Sequence, residues 1–133
     1  MSTTAAAIER GLEPLAMRLM LPWPPTVNHS TRPNGRGGRY LTDEHKVFRL
    51  LVLNAATKAG ARKKLKGRIS VSIIAIPPDA RQRDLDNIVK GLLDSLQAAA
   101  VFENDNQVDH IEISRVRGPQ KGTVFVTVRE IGT

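Results

Sequence analysis

Asp84 and Asp86 are separated by one residue within Arg81-Gln82-Arg83-Asp84-Leu85-Asp86-Asn87-Ile88-Val89-Lys90. In an extended segment an i, i+2 pair sends both side chains the same way, so the two carboxylates would share one hard cation. Mg2+ suits such a pair: it takes one or two carboxylates, keeps several waters and completes its shell with a substrate phosphate. If Asp86 caps a following helix, Lys90 stands one turn later on the same face, placed to meet a phosphate or an oxyanion beside the ion. Taken singly, these residues also fit a structural account in which Asp86 only caps and Lys90 pairs with Asp86 or Asp94. Their combination, two acids flanked by Arg81 and Arg83 in a cationic chain, favours a site completed by a cation or a phosphate.

A third oxygen ligand is available downstream, in Phe102-Glu103-Asn104-Asp105-Asn106-Gln107-Val108-Asp109, where Asp105 is the best placed. A helix from Asn87 to Ala100 would separate its two ends by roughly 20 Å, and the five residues after it span about 17 Å only when fully stretched. Asp105 therefore reaches Asp84 in its own chain with difficulty. An antiparallel twofold partner exchanges the two helix ends and brings its own Asp105 to Asp84 and Asp86. The expectation is a homodimer with a metal site shared between subunits.

The elements that must carry these residues fit in one body. The chain has 133 residues, 41% hydrophobic and 25% charged, the composition of a single folded domain. Cysteine is absent, which excludes disulfides, thiolate metal sites and a cysteine nucleophile. The net charge of +7 implies a polyanionic partner. Residues 1–66 hold twelve Lys/Arg against four Asp/Glu, whereas residues 67–133 hold eight against nine, so the basic and acidic functions are separated along the chain. The first seven residues lack the basic and apolar regions of a signal peptide, so a cytoplasmic location is expected.

Residues 1–16 read as a mobile N-terminal extension, and 17–133 as the domain. Met17 to Leu21 predicts a strand ended by Pro22, Pro24 and Pro25, followed by a flexible basic loop from Thr26 to Arg39. Thr42-Asp43-Glu44 opens a helix in which Val47, Leu50, Leu51, Asn54 and Ala55 recur with helical period up to about Gly60. Its exit, Lys58 to Arg68, holds six basic residues and no acidic one. Arg68 to Ile76 alternates and is β-branched, predicting a strand closed by Pro77-Pro78. A second helix is expected from Asp86 as N-cap to about Ala100, with Ile88, Leu92, Leu93, Leu96 and Ala99 facing a core. Strands near Gln107 to Arg117 and Gly122 to Ile131 flank a Gly118-Pro119-Gln120-Lys121 turn. The fold class is α/β (α+β), a mixed sheet of about four strands with two main helices, ordered β-α-β-α-β-β.

Three segments together resemble the RusA family of Holliday-junction resolvases: L-P-W-P-P-T-V-N at Leu21 to Asn28, R-D-L-D-N-x-x-K at Arg83 to Lys90, and F-x-x-D-x-Q-V at Phe102 to Val108. The likeness runs from about Leu19 to the C-terminus. It implies a Mg2+-dependent endonuclease, active as a homodimer, that cuts four-way DNA junctions symmetrically in recombination and repair, with Mn2+ as a substitute ion. It further implies that Asp84, Asp86 and Asp105 bind the metal, that Lys90 is catalytic, and that Arg81 and Arg83 touch DNA. Gln82 interrupts the family's basic run.

Further DNA contacts are expected from Arg32, Arg36 and Arg39 in the loop, from Lys63, Lys64 and Lys66 at the helix exit, and from Lys121 in the last turn. His29 and His45 read as surface residues rather than bases, His110 as a strand residue equally unsuited to that role, and Trp23, between prolines, as a packing anchor. A receiver-type phosphoacceptor domain has a different order of acids and lysine. A non-catalytic basic DNA-binding protein is the alternative from another class.

Overall fold

The computed structural model describes residues 16–25, 31–33, 39–80 and 83–132. Its main sheet is built from β1 (Ala16–Pro22), β4 (Arg68–Ile76), β5 (Val108–Arg115) and β6 (Thr123–Gly132), which lie side by side in the order β1-β6-β4-β5. β6 runs antiparallel to both β1 and β4, while β4 and β5 are parallel. A parallel neighbour needs a crossover, and helix α2 (Asp86–Ala98) supplies it between β4 and β5. Helix α1 (Asp43–Lys58) packs on α2 and on β1. The expected four strands, two helices and their order are all present.

Alternation along the strands decides which face is covered. Met17, Leu19 and Leu21 of β1 lie opposite Val128, Val126 and Val124 of β6, which in turn lie opposite Val71, Ile73 and Ala75 of β4. All nine are buried, and they meet Phe48, Val52 and Ala56 of α1 and Ile88, Leu92 and Leu96 of α2 in one core. Because the side-chain period of a strand is two, the intervening residues point to the other face, which mixes polar side chains such as Arg18, Thr127 and Ser72 with the exposed apolar Met20 and Ile74.

Four expectations are corrected. The segment expected to be a flexible loop contains a short antiparallel pair, β2 (Thr31–Pro33) with β3 (Arg39–Leu41); residues 26–30 and 34–38 lie outside the described residues. The strand expected from Gln107 to Arg117 is shorter, because Asp105–Gln107 forms a single 3-10 turn before β5 begins. In α1 the buried stripe is His45, Phe48, Val52 and Ala56, whereas Val47, Leu50 and Leu51 are 55%, 65% and 46% exposed. Two apolar stripes overlap on this helix, and the one carrying the aromatic ring and small Ala56 meets the sheet. His45, expected at the surface, is buried because its ring seats on Gly91 of α2: a Cβ there would lie 2.8 Å from His45 Cε1.

Both helices end in the same hydrogen-bond motif with different residues. After α1, Gly60 at φ +65° donates to Thr57 O and Ala61 to Ala56 O. After α2, Ala100 at φ +61° donates to Gln97 O and Val101 to Leu96 O. This paired pattern needs a left-handed residue, normally glycine. Gly60 announces the stop in sequence, whereas Ala100 does not; each helix ends two residues before its predicted limit because the left-handed residue lies just past the last helical turn. Ala100→Gly removes a conformational cost of about 1–2 kcal/mol while adding some unfolded-state entropy, so a net stabilisation of about 0.5–1 kcal/mol is expected in denaturant titration.

Candidate active site

The loop from Ile76 into α2 brings Asp84 and Asp86 to the helix opening, both exposed. The segment is not extended, as the i, i+2 argument assumed. Leu85 is αR (φ −63°, ψ −33°), and Asn87 N–H donates to Asp84 O at 3.2 Å. Leu85 is the N-cap and Asp86 the first helical residue, so Asp86 does not cap the helix as expected. A negative charge in this first turn still matches the helix dipole. The two acids are thus grouped by a turn, whose backbone is set by α2, rather than by strand alternation.

Lys90 lies on the next turn of α2. Its Nζ donates to Asp94 Oδ1 at 3.0 Å and to Asp105 Oδ2 at 3.5 Å. The hydrogen bond from Lys90 to Asp94, and then the charge of Asp94, hold the Lys90 ammonium above its ordinary pKa, with Asp105 contributing less. Lys90 is therefore a cation at neutral pH, and its pairing with Asp94 is the i, i+4 contact that the structural account anticipated.

Asp105 is delivered by the connection from α2 to β5. Its N–H donates to Gln97 Oε1 at 3.0 Å, which ties its backbone to the side of α2. Its carboxylate, half-buried, lies beside Lys90. Among the described residues no three His, Asp or Glu side chains sit close enough to hold one ion. In a single chain, then, Asp84 and Asp86 stand at the opening of α2, and Asp105 lies beside Lys90 on the following turn.

The anchoring of Asp105 was only partly visible in sequence. Asn104 accepts from Asn106 N–H at 3.0 Å and, in a capping box, its own N–H donates to Gln107 Oε1 at 2.7 Å. The Asn-x-x-Gln spacing is the readable signal for that box. Gln107 is buried, and its Nε2 donates to both Leu65 O and Gly67 O at 2.8 Å. One amide therefore ties the α1–β4 connection to the turn bearing Asp105. Gln107→Ala would leave the Asn104 N–H and the Gly67 carbonyl without this partner, each worth roughly 1–3 kcal/mol if left unsatisfied, while the Leu65 carbonyl keeps the Glu103 N–H. A loss of about 2–4 kcal/mol in unfolding free energy is expected from urea titration, and a loss below about 1 kcal/mol would show that water replaces the amide.

Arg68 completes the brace. Its guanidinium makes a two-pronged contact with Asp109 and donates to Asn106 O at 2.8 Å. The hydrogen bond to Arg68 holds the Asp109 carboxyl below its ordinary pKa. Although Arg68 belongs to the basic helix exit, it is committed to holding the Asp105 turn.

The expected DNA-contacting residues fall into separate groups. Lys63, Lys64 and Lys66 are exposed on the connection between α1 and β4, and Lys121 is exposed before β6. Arg32 lies on β2 and Arg39 on β3, where the chain pairs Arg32 with Tyr40 and Arg39 with Pro33. Arg36, Arg81 and His29 lie outside the described residues. Arg83 has only 17% of its side chain exposed; it donates to Asp79 Oδ1 at 2.7 Å, and its guanidinium stands 5.8 Å from the ring centre of Trp23. Trp23 itself packs against the core as an anchor. The hydrogen bond to Asp79 raises the Arg83 pKa. His110 lies, as expected, in a strand, the edge strand β5, where it is exposed.

Comparison with known proteins follows the same segments. The sequence model of one family, described as endodeoxyribonuclease RusA, matches residues 22–129. The crossover junction endodeoxyribonuclease rusA of Enterobacteria phage HK97 is 36% identical over 121 residues, covering 86% of this chain and 94% of the relative. The protein named crossover junction endodeoxyribonuclease RusA in Escherichia coli (strain K12) is 31% identical over 118 residues, with the same coverage. Its counterpart in Enterobacteria phage 82 is 30% identical over 118 residues, again covering 86% of this chain and 94% of the relative.

Proposed function

This chain belongs to the endodeoxyribonuclease RusA family, and from that premise we propose that it resolves four-way DNA junctions by Mg2+-dependent paired phosphodiester hydrolysis, as a homodimer whose metal sites draw carboxylates from both copies. The observation that carries the reading is the placing of Asp84 just before α2 and of Asp86 and Lys90 on its opening turns, with Asp105 anchored against the same helix.

The donor set fits a hard divalent cation, since it offers only carboxylate oxygens, two of them on exposed side chains at a helix opening where substrate can approach. Mg2+, with Mn2+ as a substitute, supplies activation of the attacking water and offsets charge on the phosphoryl oxygens. Asp84 and Asp86 would hold it from one chain. Among the described residues no three acids of one chain sit close enough to hold one ion, so the reading assigns Asp105 to the site of the twofold partner. Lys90, kept protonated by Asp94, serves as a fixed positive charge towards the pentacovalent phosphate and not as a base. Its present acidic partners hold the ammonium beside the acids before substrate arrives.

Among the described residues no helix is long and apolar enough to cross a membrane. The basic groups at residues 63, 64, 66 and 121 fit phosphates of the junction arms, giving affinity that falls with salt.

The deciding experiment is a synthetic four-way junction, labelled on each strand in turn and incubated with and without Mg2+. Symmetric paired nicks that require the ion support the reading. A mobility shift with no cutting at any divalent ion would replace it with a non-catalytic DNA-binding role.

A further inference from the structure

A groove of about 580 Å3 opens at the C-terminal ends of the parallel strands β4 and β5. Arg83, Arg115, Arg117 and Lys121 line it, with Asp79 as the single carboxylate. Asp79 accepts from Arg83 at 2.7 Å, so these two charges offset each other. Among the described residues no carboxylate pairs with Arg115, Arg117 or Lys121, which leaves three cations around one concavity. Like charges converging at a sheet edge repel, and nothing in the fold requires all three there.

The groove is joined to the acids by a specific contact. Arg115 Nη2 donates to the carbonyl of Arg83, which is the peptide group immediately before Asp84. A guanidinium has five donors, so Arg115 retains others for an anion in the groove. Guanidinium forks and an ammonium are the groups that recognise phosphate oxygens. From these observations, and resting on the nuclease reading above, we propose that the groove is a subsite for one DNA backbone phosphate flanking the scissile linkage, contacted by Arg117 and Lys121. In this arrangement Arg115 is a positioning residue that ties the occupied groove to the Asp84 peptide.

The test uses the full chain with Arg117→Gln and Lys121→Gln combined, and binding to a four-way junction in EDTA so that cutting does not interfere. Junction affinity should fall about tenfold at moderate salt, and the slope of log affinity against log salt should lose about two, one for the phosphate released from the groove of each protomer. Arg18→Gln with Arg129→Gln, two exposed charges on the paired strands β1 and β6, removes the same net charge and should change affinity less than about twofold. A methylphosphonate scan of the strand around the cut supplies the second measurement. One neutral linkage should weaken the wild type but not the Arg117/Lys121 double variant, as coupled groups do in a double-mutant cycle. Equal losses in the two double variants, or no linkage sensed differently by wild type and variant, would overturn the subsite while leaving Mg2+-dependent cutting by the wild type intact. Absence of cutting by the wild type would instead reject the nuclease reading itself.

Discussion

Asp86→Asn is expected to lower junction cleavage about 10^3-fold, equivalent to roughly 4 kcal/mol of transition-state stabilisation, while junction binding in EDTA is unchanged or tighter. The amide keeps the size of the side chain and the first-turn position, so the fold and the opening of α2 persist. What is lost is one charge that would hold the cation. Removing a carboxylate from a surface that faces DNA also relieves repulsion, which is why binding and cutting should separate. A variant that cuts within about tenfold of the wild type would remove Asp86 from the site.

The same substitution tests the shared centre. Asp105→Asn should also abolish cutting, and a mixture of the two inactive variants should recover single nicks. In a mixed dimer one composite site carries both changes, and the other combines an intact Asp86 with an intact Asp105. Single rather than paired nicks in the mixture follow from that count. Two variants that never complement, although they exchange subunits, would place all three acids in one chain and require a movement of the Asp105 turn past Lys90.

Phe102→Ala is expected to cost about 3–5 kcal/mol, a large share of the roughly 5–15 kcal/mol typical of a small domain. Phe102 is fully buried, and its segment is laid beside the α1–β4 connection by Lys64 N–H to Ala100 O (2.8 Å), Leu65 N–H to Val101 O (3.1 Å) and Glu103 N–H to Leu65 O (3.2 Å). The ring therefore fixes both the core and the path of the chain through Glu103 and Asn104 that delivers Asp105. Urea unfolding measures the first effect. Cutting assayed where the variant is still folded measures the second, and Phe102→Leu should recover most of both. A stability loss under about 1 kcal/mol would mean that the cavity closes by collapse of the connection, and that Phe102 does not hold it.

Local regularities in the sequence carried most of the framework. β4 is bounded as expected because a nine-residue, largely alternating segment with five β-branched residues ends at a double proline, and α2 begins where the acidic pair meets the leucine-rich period. The chemistry-bearing residue types, Asp84, Asp86, Lys90 and Asp105, were equally legible, because a hard-cation site needs a particular set of groups. Several features were decided by contacts between segments distant in the chain. The buried face of α1 depended on which stripe found α2 and β1, and His45 became a core residue only because Gly91 leaves room for its ring. The turn at Leu85 overrode the extended geometry that would have aligned the two acids. Asp105 took its place from Gln97, Gln107 and Arg68, which lie on three separate elements. Periodicity and motif are properties of neighbours along the chain, so they specify elements and candidate groups. Side-chain direction and the distance between groups depend on packing, and only the assembled sheet and helices determine them.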